Sequence, residues 1–128
     1  MIVKRIITIL SILFVILICA FWGIHHIKQT NQLLNQQLDA ILFDIQQEND
    51  QQALTKTKQL KTHWEQQSNY FGMYLQHHLL DQVTSQIALL ETSIQEKEYL
   101  QAQFTITQIR TTLEQIYDDE QLKLKNIL

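Results

Sequence analysis

Ile6 to Ile24 reads IITILSILFVILICAFWGI, nineteen residues without a charge, interrupted only by Thr8, Ser11 and Cys19. At about 1.5 Å of rise per residue such a helix is roughly 28 Å long, close to the ~30 Å hydrocarbon core of a bilayer. A lone segment can satisfy its own backbone hydrogen bonds in lipid only as a helix, so the stretch predicts a single membrane span. Cleavage after Ala20 or Gly23 would place Ile18 or Phe21 where a signal peptidase needs a small residue, and a lipoprotein box ahead of Cys19 fails at Ile18 for the same reason. The stretch therefore reads as an uncleaved anchor. Trp22, His25 and His26 follow where the helix would leave the lipid, and an indole with an apolar ring and a polar N–H suits that interface. Lys4, Arg5 and the amino terminus precede the span, against Lys28 alone beyond it before Lys56. That bias predicts residues 1–5 in the cytoplasm, a membrane helix over 6–27 and an extracytoplasmic domain over 28–128.

The domain beyond the span excludes several function classes by composition. The whole chain of 128 residues has no Pro and only two Gly, so little in it breaks a helix, and glutamine, a good helix former, occurs twenty times. An all-α fold follows: one transmembrane helix and a small antiparallel bundle of three to four helices. Residues 29–128 carry seven bases against thirteen acids, a formal charge of −6, which disfavours nucleic acid as a partner. The lone Cys19 lies inside the span, leaving no intramolecular disulfide and no cysteine-based zinc site.

Four amphipathic stripes organise these hundred residues. Leu34, Leu38, Ile41 and Ile45 share one helical face, continuous with the anchor unless Gln29–Gln32 forms a hinge. Glu48-Asn49-Asp50 is the strongest turn signal, with Gln52 completing a capping box to Asn49. A helix over 51–67 then presents Ala53, Thr57, Leu60 and Trp64, with Lys56, Lys58 and Lys61 on its outer side. Ser68-Asn69 and Gly72 suggest a bend at 68–72. From 71 to 95 the stripe is Leu80, Val83, Ile87, Leu90 and Ile94, widened by Leu79 and Leu89. Glu96-Lys97-Glu98 interrupts it, and Tyr99, Ala102, Ile106, Ile109, Leu113 and Ile116 form the last, so the two heptad helices read as an antiparallel hairpin. Asp118-Asp119-Glu120 sit at the wrong end of that helix's dipole, which predicts fraying, and the tail LKLKNIL is apolar enough to fold back onto the bundle.

Candidate chemistry is sparse. Adjacent His77 and His78 would project about 100° apart on a helix and could not readily share an ion, and His63 reaches them only through tertiary packing. No HExxH, phosphate loop or nucleophile elbow occurs, and the acids map to outward helix faces. No cofactor, no metal and no catalytic role is expected. Tyr70, Phe71, Tyr74 and Leu75 make the densest aromatic group outside the span, either a binding patch or the plug of one bundle end. Candidate interaction or structural residues are thus Trp64, Tyr70, Phe71, Tyr74, His77 and His78.

The order span, Ala53…Leu60…Trp64, HHLLD (77–81), two heptad helices and a final Asn126-Ile127-Leu128 resembles a bacterial single-span family known as domain of unknown function 4363. The resemblance covers nearly the whole chain. It implies a membrane-anchored helical domain of a Gram-positive or related bacterium and association with another membrane protein; the bundle reading itself makes Trp64 a core anchor and His77 or His78 a packing histidine. The resemblance carries no catalytic residues. The expected function is a non-enzymatic accessory or scaffold subunit binding an envelope protein. Two rivals stand beside it: a small ligand-binding sensor using the region of Tyr70–Leu75, and a coiled-coil homo-oligomer.

Overall fold

Four helices in chain order, α1 (Ile2–Gln46), α2 (Asp50–Phe71), α3 (His77–Gln95) and α4 (Tyr99–Ile127), make up the computed structural model, which describes residues 1–71 and 77–127. α1 is one unbroken helix of 45 residues. Gln29–Gln32 is therefore no hinge: nothing in its sequence removes a backbone hydrogen bond, and Ile27, Thr30 and Leu34 are already buried on one face there. Residues 28–46 of α1 and the other three helices form an antiparallel bundle in which each helix packs on its chain neighbours and α1 closes the ring against α4. Lys56 lies opposite Asp44 and His63 opposite Gln37, so opposed residues of α1 and α2 total 100 in number.

The expected stripes form the core. Leu34, Leu38, Ile41, Ile45, Ala53, Leu60, Trp64, Val83, Ile87, Leu90 and Ile94 are all buried, as are Ala102, Ile106, Ile109 and Leu113 from α4. Leu79 joins them, but Leu89 is 43% exposed, because it lies too far round α3 for the stripe to cover. Tyr99 packs on the core's edge rather than in it.

Both hairpin turns are built by the backbone. α1 ends with the Glu48 N–H donating to the Ile45 carbonyl (3.1 Å) and the Asn49 N–H to the Asp44 carbonyl (2.8 Å), with Glu48 at φ 55°. This is a Schellman closure with a non-glycine residue in the left-handed region. Forty-nine residues on, α3 ends identically: the N–H of Lys97 (φ 57°) donates to the Ile94 carbonyl (3.1 Å) and that of Glu98 to the Ser93 carbonyl (2.8 Å). The same offset relates buried Leu34 to Val83, Ile41 to Leu90, Ala53 to Ala102 and Trp64 to Leu113. The bundle is thus two equivalent hairpins, an internal correspondence that the dissimilar side chains conceal.

Several expected boundaries move. α2 runs through Ser68 and Asn69 to Phe71 without the expected bend; the Ser68 hydroxyl donates to the Glu65 carbonyl (3.1 Å), as a serine within a helix does. Gly72 and the residues up to 76 lie outside the described residues; Phe71 belongs to α2, and the described part of α3 starts at His77. α4 neither frays at Asp118–Glu120 nor folds its tail back, but stays helical to Ile127. Local side-chain bonds offset the unfavourable dipole there: Lys123 pairs with Glu120 (3.0 Å) and Gln121 donates to the Tyr117 hydroxyl (2.7 Å).

Candidate functional surface

Among the expected site residues, the structure gives Trp64 a clear role. Its ring is 1% exposed in the core, and its indole N–H donates to the Thr84 hydroxyl on α3 (3.0 Å), joining the two hairpins. His77 and His78 open α3 and are both exposed, so neither is the packing histidine that the bundle reading expected; they precede the buried Leu79 and Leu80 that start the stripe. Tyr70 and Phe71 close α2, with only their backbone described, and Tyr74 and Leu75 lie outside the described residues. His63 is bonded across to Gln37 on α1 (3.2 Å). Among the described residues no three His, Cys, Asp or Glu side chains gather at one point.

Polar residues that sequence reasoning passed over hold the interfaces together. Asp44 is buried, against the expectation that every acid faces water, and its carboxylate meets the Lys56 ammonium at 2.7 Å. Lys56 consequently belongs to the α1–α2 interface rather than to an outer basic patch. Only the 34-38-41-45 spacing hinted at this, since Asp44 adjoins Ile45 on the side of α1 that α2 covers. At the same end of the bundle the Tyr99 hydroxyl donates to Asp50 (3.0 Å). That bond, with burial and the negative charge of Asp50 and Glu48 adding to it, holds the tyrosine pKa above its ordinary value.

The α1–α4 seam is amide-rich. Asn31 donates to the Leu113 carbonyl (2.9 Å), Asn35 to the Asn31 carbonyl (2.8 Å), and Arg110 reaches both Asn35 (3.1 Å) and the Asp39 carboxylate. Beside these bonds runs an open groove of about 410 Å³ lined by Lys28, Gln32, Arg110, Glu114 and Tyr117. It begins one helical turn beyond Ile24. There the apolar arm of α1 leaves the bundle, and Trp22 stacks on His26 with ring centroids 6.3 Å apart.

A family model described as domain of unknown function (DUF4363) matches residues 21–127. The chain belongs to this family. The DUF4363 match takes in the end of the apolar arm, all four bundle helices and the last turns of α4. No curated protein and no solved structure matches the chain.

Before that arm reaches the bundle, α1 is long and apolar enough to cross a membrane. Leu13, Phe14, Val15 and Ile16 are 52%, 64%, 57% and 52% exposed. Four successive helical residues point about 100° apart and so sample the whole circumference. Around Leu13–Ile16 the arm is apolar on every side and covered on none.

Proposed function

We propose that this member of the DUF4363 family is a non-enzymatic accessory protein, anchored by the apolar arm of α1 and holding its bundle at the membrane surface to bind another envelope protein. The observation that carries the reading is the all-round exposure of Leu13–Ile16. A helix apolar on all faces is stable only inside a large protein or inside lipid, and the bundle offers Leu13–Ile16 no cover. The bundle interior is filled by side chains such as Trp64 and Leu60, whereas the polar seam of Asn31, Asn35 and Arg110 borders an open groove just above the anchor. That placement suits contact with a neighbouring membrane protein better than enclosure of a small ligand.

The bundle is assigned to the extracytoplasmic side. Lys4 and Arg5 flank the arm before it, Lys28 alone follows closely, and the later lysines of the domain are too distant in sequence to weigh on insertion.

The test is affinity capture of the tagged full chain from cross-linked membranes in mild detergent, beside a version carrying an unrelated span in place of residues 6–24. One multi-span protein enriched by the native chain supports the reading, and its loss on swapping the span places the contact in the bilayer. Recovery of the bait alone overturns it in favour of self-association or ligand binding. Protection of the bundle from external protease in intact cells would overturn the assigned orientation.

A further inference from the structure

The last turns of α4 do not end with the bundle. Asn31 opposite Leu113 and Asn35 opposite Arg110 set an α1–α4 register in which opposed residue numbers total 144 to 145. Continued downward, this register puts Gln121 beside Ile24 and Lys125 beside Ala20, within the apolar stretch of α1. α2 ends at Phe71, level with Gln29 by its own register with α1. α4 thus runs about three turns further toward the membrane than the described part of α2, which lies across the ring from it. Burial along the arm agrees. Leu17, Ala20 and Ile24, on the heptad seam that leads to Asn31, are half-buried, while the other residues of the arm up to Trp22 are exposed. A Cβ added to Gly23, itself half-buried beside that seam, would meet nothing within 4 Å, so the cover is confined to the seam and open space lies next to it.

We propose that the segment of α4 from Gln121 onward is a second membrane contact, lying in the head-group layer beside the anchor and engaging anionic phospholipid phosphates through Lys123 and Lys125. The inference rests on the membrane-anchored reading of α1. Charge changes sign along this segment in the required order: Asp118, Asp119 and Glu120 stand on the water side, and Lys123 and Lys125 stand level with Trp22 and Ala20. Leu122 between them is 60% exposed, Lys125 is exposed with no ion pair among the described residues, and Lys123 has only a surface pair to Glu120. Head-group phosphates attract lysines at this depth, and long lysine stems let an apolar backbone level coexist with a charged tip. Favourable placement of Lys125 at the negative end of α4 explains one of the two lysines but neither the exposed Leu122 nor the covered seam on α1.

Nitroxide labels on the full chain in vesicles test this, using single cysteines at Ile12, Leu122, Lys125 and Thr107 in a Cys19→Ala background, with oxygen and nickel-chelate accessibility as the readout. The vesicles are phosphatidylcholine with or without phosphatidylglycerol. Positions 122 and 125 should read between the lipid-buried 12 and the aqueous 107, and deeper when phosphatidylglycerol is present. Adding Lys123→Glu to the Leu122 label, with Lys125→Glu, should shift that label to the value at 107. Aqueous readings at 122 and 125 with 12 still in lipid would overturn the second contact while leaving the anchor intact. An aqueous reading at 12 would remove the anchor and this inference together. Depth at 122 that ignores both phosphatidylglycerol and the glutamates would overturn the assignment to anionic head groups.

Discussion

Replacing Trp64 by alanine should destabilise the bundle by about 3–5 kcal/mol, the range for deleting a large buried aromatic. The side chain is 1% exposed and makes one polar bond, to a Thr84 that is itself exposed. Two effects can therefore be separated. Losing the bond alone, in Thr84→Val, frees the indole N–H at a position where water can reach it, so the cost should be about 1 kcal/mol or less. Trp64→Phe loses the bond and part of the ring but fills most of the space, for about 1–2 kcal/mol. A bundle of roughly a hundred residues has about 5–15 kcal/mol in all, so only the alanine variant should remove a large fraction of it. At about 4–8 °C per kcal/mol, the thermal midpoint should fall by a few degrees for Thr84→Val and by tens of degrees for Trp64→Ala. Far-UV circular dichroism of the full chain in detergent gives the midpoints. If Thr84→Val costs as much as Trp64→Ala, apolar burial is not what fixes the two hairpins together, and the packing argument fails.

Lys56→Met leaves the Asp44 carboxylate buried without its cation. It should cost about 1–3 kcal/mol, below the usual range for breaking a buried pair because the Lys56 side chain is 39% exposed. The second hairpin has Ser93 and Thr105 at the corresponding positions, both buried. Asp44→Ser with Lys56→Thr should accordingly recover most of that loss, and a denaturant-melt double-mutant cycle that shows no recovery would refute the equivalence of the hairpins. Glu48→Gly and Lys97→Gly each relieve a left-handed non-glycine residue and should stabilise by roughly 0.5–1 kcal/mol, read as a higher melting midpoint; a fall in either would mean the side chain contributes contacts that offset its strain. Because the Tyr99 pKa is raised on folding, the folded chain holds that proton longer than the unfolded one. The stability from its bond to Asp50 is fully present below the tyrosine's ordinary value of 10.0 and is lost as pH climbs through the raised one. Tyr99→Phe should flatten that alkaline decline in a pH series of thermal melts, and an unchanged slope would show that the bond does not matter to folding.

Sequence alone determined the helices and their inward faces. Spacings such as 34-38-41-45 and 53-57-60-64 have one solution when almost no Pro or Gly is present to interrupt them, and Ile6–Ile24 is too long and too apolar to be an ordinary surface helix. These are local properties, set by the 3.6-residue period and by side-chain polarity. What the sequence could not decide was which residues of different helices would meet. That Asp44 would be buried depended on α2 bringing Lys56 to it, and an acid next to a stripe looks the same whether it is covered or wet. The absence of a hinge at Gln29–Gln32 came from burial of Ile27 and Thr30 by distant segments. The course of α4 past the end of α2 followed only from its register against α1, since a tail written LKLKNIL folds back or runs on according to what lies beside it. Periodicity is carried by each helix singly; register belongs to pairs of helices, and only the assembled bundle supplies it.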